Sequence, residues 1–162
     1  MSIDHTTGTA AGLVRIERHG PEGHIAELVL DRPEAMNAVS TAMARAIGSA
    51  TAALAADPQV RAVVLTSSHP RAFCVGADLK ERNGMSDAAL VAVRPTHRGA
   101  YGGVLALPMP AIAAVEGFAF GGGLELALSC DILVTGEAAT VGLPEVGVGV
   151  IPGGGGTQLV GR

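Results

Sequence analysis

Apolar and polar positions along the chain fall into runs of two different periods, and the periods alternate. Residues 13–17 and 25–30 run apolar or alternate at strand length, with the turn-forming segment Arg-His-Gly-Pro-Glu-Gly-His at 18–24 between them. This predicts a β-hairpin. Ser40 then opens a helix: Met43, Ile47, Ala50 and Leu54 recur at helical spacing, and Asp57-Pro58 closes it. Residues 60–66, apolar and largely β-branched, predict a buried strand. Residues 67–77 read as a loop.

A short helix is expected from Asp78, and Ser86 caps a second one carrying Leu90, Val93, Tyr101 and Leu105 on its apolar face. Pro95 should kink or divide that helix. Residues 111–115 predict another buried strand and 117–123 a glycine-rich turn. A short helix follows at 124–129, then a strand at 132–135. Residues 141–150 are glycine-punctuated, and the glycines at 153–156 lead into a helix start at Thr157. The recurrence of strand and helix places the chain in the α/β class, as one unit over 13–162. Residues 1–12 are polar and small, lack the apolar core of a secretory signal, and are expected to form a disordered tail.

Composition narrows the possibilities. Hydrophobic residues make up 48% of the chain, yet there are three Phe, one Tyr and no Trp. The core must be aliphatic, and a groove lined this way suits an acyl chain better than a stacked base. The net charge of −4 and the scattered basic residues argue against nucleic acid and against an anionic membrane as partners. The most apolar stretch, 104–128, is broken by prolines, glutamates and glycines, so it reads as core and not as a membrane span. Cys74 and Cys130 match neither a disulfide framework nor a metal knuckle, and free thiols in a reducing cytosol are the expectation.

Several chemistries are missing from the pattern. There is no GxxxxGK[ST] phosphate loop, no GxGxxG placed after a strand for a dinucleotide, and no GxSxG nucleophile elbow. The histidines at 5, 19, 24, 69 and 97 form no ligand pair, so no metal and no permanently bound cofactor is expected.

Two strand-to-helix junctions remain: Ala72-Phe-Cys-Val-Gly-Ala-Asp-Leu79 and Gly117-Phe-Ala-Phe-Gly-Gly-Gly-Leu-Glu125. At such junctions backbone amides lack partners and the helix dipole is positive, which suits an anion or a developing oxyanion. Two acids stand beside them in apolar surroundings, Glu125 within Leu-Glu-Leu-Ala-Leu and Glu145 within Leu-Pro-Glu-Val-Gly. A buried carboxylate is costly unless paired or functional. Glu125 also reads as a first-turn residue complementing the helix dipole, and Glu145 as an exposed turn residue. Taken together, two amides and two carboxylates match addition or elimination beside an activated carbonyl such as a thioester.

Five segments in order now resemble a known family. They are Arg32-Pro-Glu-Ala-Met-Asn-Ala38, the two junctions (the second extended to Ala114–Ala127), Leu143-Pro-Glu145, and Ile151-Pro-Gly-Gly-Gly-Gly-Thr-Gln158. They look like successive signatures of the crotonase, or enoyl-CoA hydratase/isomerase, family. The resemblance implies a spiral of repeated ββα units and a coenzyme A thioester substrate, with coenzyme A entering only as part of that substrate. It implies that the amides of Ala77 and Gly122 form an oxyanion hole, and that Ala35, Met36, Asp78, Leu79 and Lys80 contact coenzyme A or the acyl thioester. Hydratases of the family keep acids at the positions of both Glu125 and Glu145, so hydration of a 2-enoyl-CoA is the favoured expectation. Another acyl-CoA reaction of the family and a catalytically silent fragment are the alternatives. Family members continue for roughly a hundred more residues into a helical region that closes the acyl pocket and builds a homotrimer or hexamer. That region is absent from the 162 residues, and an exposed apolar patch is expected in its place.

Overall fold

The computed structural model describes the backbone of residues 7–8 and residues 12–161. Two sheets divide the strands. The first runs β1 (Thr7–Gly8), β2 (Val14–His19), β3 (Ile25–Leu30), β4 (Ala62–Ser67), β6 (Ala111–Val115), β8 (Ile132–Thr135) in spatial order. The second is parallel and consists of β5 (Ala72–Cys74), β7 (Phe118–Phe120) and β9 (Thr140–Gly142). The helices are α1 (Thr41–Ala56), α2 (Leu79–Asn83), α3 (Asp87–Leu105), α4 (Gly122–Leu128) and α5 (Gly156–Leu159). The expected ββα repeat is present. A strand of the first sheet, a strand of the second and a helix recur as β4-β5-α2, β6-β7-α4 and β8-β9-α5.

Local chemistry explains the best-defined elements. The Ser40 hydroxyl accepts from the Met43 amide at 3.2 Å and caps α1. Helix α1 buries Met43, Ile47, Ala50 and Leu54 as its spacing predicts, and packs on α3. Strands β4 and β6 bury alternate residues, Val63 and Leu65 beside Ala111, Ala113 and Val115. The β2–β3 hairpin is antiparallel, as expected, and β3 then pairs in parallel with β4.

Four expectations need correction. The segments read as loop and turn contain β5 and β7, three-residue strands whose parallel partners lie far away in sequence. Helix α3 is not divided at Pro95, which lies on its exposed side. Its buried residues are His97, Ala100, Tyr101 and Val104, while Leu105 is exposed. Finally, Thr7 and Gly8 pair with Ile16 and Arg15, so part of the stretch read as a tail is strand. The rest of that stretch, apart from Gly12, lies outside the described residues.

Large exposed apolar side chains concentrate after residue 131, among them Ile132, Val134, Val146, Val148, Ile151 and Val160. Among the described residues, no helix is long and apolar enough to cross a membrane.

One ion pair locks the first junction, Ala72–Leu79, to the loop that follows β3. Arg32 Nη1 donates to Asp78 Oδ2 at 2.6 Å and to the Ala38 carbonyl at 2.9 Å. Burial works to raise the Asp78 carboxyl, but the Glu81 amide and the Arg32 guanidinium outweigh it and hold the group below its ordinary value. The folded value therefore lies below the unfolded one, near 3.9. The resulting stabilisation is complete above that range and disappears as pH falls through the folded value. Melting temperature is expected to drop on acidification below about pH 4, and more gently in Asp78→Asn, which keeps the cap but loses the charge. Thermal melts of both proteins across acid pH check this.

Candidate active site

The two glycine-bearing junctions meet. Gly76 has φ of 90°, a conformation open to glycine, and a Cβ there would stand 2.7 Å from the Phe120 carbonyl oxygen and 3.1 Å from the Gly122 amide nitrogen. The start of α4 therefore lies against the residue preceding Ala77. Val39 donates to the Gly76 carbonyl at 2.7 Å and accepts from the Asp78 amide at 3.2 Å. This bridge consumes the groups on either side of Ala77 and leaves the Ala77 amide aimed the other way. Gly122 is the first residue of α4, where an amide has no intrahelical acceptor. Neither amide donates to any described residue.

Glu125 lies in the first turn of α4 and is 3% exposed. Its Oε1 accepts from the amides of Gly154 and Gly156 at 2.7 and 2.8 Å. The glycine run before α5 therefore has a task that its sequence did not reveal: it wraps the carboxylate and leaves Oε2 free for other contacts. Glu145 opens a 3-10 turn after Pro144 and is half-buried. Its carboxylate turns toward the start of α4, and a Cβ on Gly121 would stand 3.0 Å from its Oε1. Its Oε2 is buried and has no hydrogen-bond partner among the described residues. A buried carboxylate oxygen without a donor is costly, and a substrate or water is the natural partner.

Tyr101 of α3 stands between these groups. A Cβ on Gly122 would lie 2.5 Å from its hydroxyl, and one on Gly154 would lie 3.0 Å from its ring and 2.8 Å from Glu125 Oε2. Burial, reinforced by Cys74 and the two glutamates, pushes the Tyr101 hydroxyl far above its ordinary value and keeps it neutral. Sequence reading placed Tyr101 on a packing face and did not mark it as part of the site. No local motif identifies it.

The remaining expected site residues lie around the first junction. Ala35 is half-buried and Met36 exposed, and the Met36 carbonyl accepts from Val75 at 3.2 Å, which ties this turn to the junction. Leu79 and Lys80 are exposed at the start of α2. The Asp78 carboxylate is engaged inside the protein. Its oxygens cap α2 and pair with Arg32, so its side chain is held within the protein. Among the described residues, the carboxylates and imidazole of Glu17, His19 and Glu27 come within metal-ligand reach of one another on the β2–β3 hairpin. Glu17 is paired with Arg15 there, and Glu27 with Thr66 and His19.

Comparison with known proteins identifies relatives of this chain. A family model described as enoyl-CoA hydratase/isomerase matches residues 20–162. The chain is 47% identical over 145 residues to a putative enoyl-CoA hydratase/isomerase of Bacillus subtilis, covering 86% of this chain and 55% of that protein. It is 43% identical over 143 residues to a probable mitochondrial enoyl-CoA hydratase of Arabidopsis thaliana, covering 88% of this chain and 48% of that one. The crystal structure of an enoyl-CoA hydratase from Bacillus anthracis superposes with a TM-score of 0.87 at 36% identity, covering 93% of this chain and 57% of that one. The chain thus spans about half the length of the curated relatives it matches.

Proposed function

From the premise that the chain belongs to the enoyl-CoA hydratase/isomerase family, we propose that it adds water across the 2,3-double bond of an enoyl-CoA thioester. The thioester carbonyl rests on the amides of Ala77 and Gly122, which draw charge onto its oxygen as the enolate forms. A water molecule lies between Glu125 and Glu145. Glu125 takes one proton from the water as the water oxygen bonds to Cβ, Glu145 enters the step as the acid and gives its proton to Cα on the same face, and the proton left on Glu125 returns to Glu145 before the next turnover. Coenzyme A runs past Ala35, Met36, Leu79 and Lys80 toward solvent.

The observation that carries this reading is the buried, unpartnered Oε2 of Glu145 beside the α4 start, with Glu125 held by two amides in the same turn region. A residue serving only structure would have its oxygens satisfied. Each oxyanion donor is worth about 3 kcal/mol of barrier lowering in comparable sites. The test is a substrate panel: crotonyl-CoA hydration, 3-enoyl-CoA isomerisation and acetyl-CoA hydrolysis. Loss of the conjugated-thioester absorbance with crotonyl-CoA supports hydration. Isomerisation without hydration, or release of free coenzyme A alone, overturns it in favour of another reaction of the family.

A further inference from the structure

The hydration reading gives Glu125, Glu145 and two amides a task and leaves Tyr101 without one. Tyr101 is 8% exposed, and its hydroxyl makes no hydrogen bond to any described residue. A phenol held in this way costs stability that a phenyl ring would not. Packing alone therefore favours phenylalanine at this place on α3, and the hydroxyl calls for an acceptor that arrives with a ligand.

Its position indicates which acceptor. A Cβ on Gly122 would stand 2.5 Å from the Tyr101 hydroxyl and 3.7 Å from Gly76 Cα. The Gly122 amide nitrogen lies about 2.5 Å from that same Cβ point by covalent geometry, so the hydroxyl is within about 5 Å of the nitrogen. An oxygen that accepts from the amide at about 2.9 Å can then accept from the hydroxyl as well. Glycine at 122 keeps the two donors open to one guest, because a methyl group there would collide with the hydroxyl. On its other flank the Tyr101 ring lies against Gly154, whose amide holds Glu125 at 2.7 Å, so the ring is fixed beside the acid. Burial keeps the phenol protonated, hence a donor.

Resting on the hydration reading, we propose that Tyr101 is a third donor to the thioester oxygen: its hydroxyl hydrogen-bonds the carbonyl together with the Ala77 and Gly122 amides, and the bond tightens as the enolate oxygen gains charge. The proton stays on Tyr101 throughout, so the step needs no further acid and the roles of Glu125 and Glu145 are unchanged. Tyr101 thus touches the reacting atoms and is a catalytic residue.

Tyr101→Phe removes the hydroxyl and keeps the ring. It is expected to melt at or above the wild-type temperature, because the lost group had no partner in the protein. In the same variant kcat for crotonyl-CoA hydration is expected to fall about tenfold, the size of a hydrogen bond to a charged group, with KM changed less than about twofold. Cinnamoyl-CoA, whose absorption moves to longer wavelength as its carbonyl is polarised, gives a second readout that does not depend on turnover. Its red shift at saturating protein, read before turnover, is expected to be about a third smaller in the variant, one donor of three being gone. A wild-type rate, or a lowered rate with an undiminished red shift, overturns the assignment. A fall in melting temperature marks a structural hydroxyl and overturns it as well. Absence of crotonyl-CoA hydration in the wild type removes the hydration reading and leaves the red shift to decide the role of Tyr101, so the two failures are told apart.

Discussion

Glu125→Gln is expected to fold normally and to lose about a thousandfold in crotonyl-CoA hydration, the scale of a positioned acid–base group. The structural half of this expectation follows from the hydrogen bonds. Oε1 of Glu125 accepts from Gly154 and Gly156, and the carbonyl oxygen of a glutamine accepts from the same two amides. The chemical half follows from the other oxygen. A carboxylate there takes a proton from water, whereas an amide nitrogen offers protons and takes none. Melting temperature close to wild type, together with a collapse of kcat, is the expected pair of results. Near-full turnover by this variant would show that water is activated elsewhere.

Gly123→Ala is expected to cost about 3 kcal/mol of stability, the upper range for overpacking. A methyl group at this second residue of α4 would overlap the Cys74 carbonyl oxygen and stand 2.6 Å from its carbon and 2.9 Å from its Cβ. That carbonyl belongs to β5, which is held in its own sheet, so neither side gives way cheaply. Gly48→Ala provides the opposite sign. Gly48 lies inside α1 with nothing within 4 Å of its would-be Cβ, and alanine there should stabilise the helix by about 1 kcal/mol. Urea midpoints of the two variants against wild type measure both effects.

Legibility in the sequence followed the range of the interactions. Helix α1 was readable end to end because its cap, its face and its stop are all local. The same holds for β6 and for the cap of α2 at Asp78. Strands β5 and β7 were not readable. Each has three residues, glycine nearby, and a parallel partner more than forty positions away, so no local period marks them. The candidate site divides in the same way. Glu125 and Glu145 stood out as charges among apolar neighbours. The amides that hold Glu125 come from Gly154 and Gly156, about thirty residues on, and only the folded chain brings them there. The face of α3 was read only in part: Tyr101 is buried as its spacing predicts, Leu105 is exposed, and His97, whose polar ring hides it from a hydrophobicity pattern, is buried one turn before Tyr101.

Everything proposed here depends on the Ala77 and Gly122 amides polarising one carbonyl. A strongly absorbing conjugated thioester such as cinnamoyl-CoA, read before turnover, reports that directly, because electron withdrawal at its carbonyl moves its absorption to longer wavelength. Bound to this chain, it is predicted to show a red shift that saturates with protein concentration. Saturable binding with an unshifted spectrum would contradict the account, since the carbonyl would then lie where no paired amides reach it.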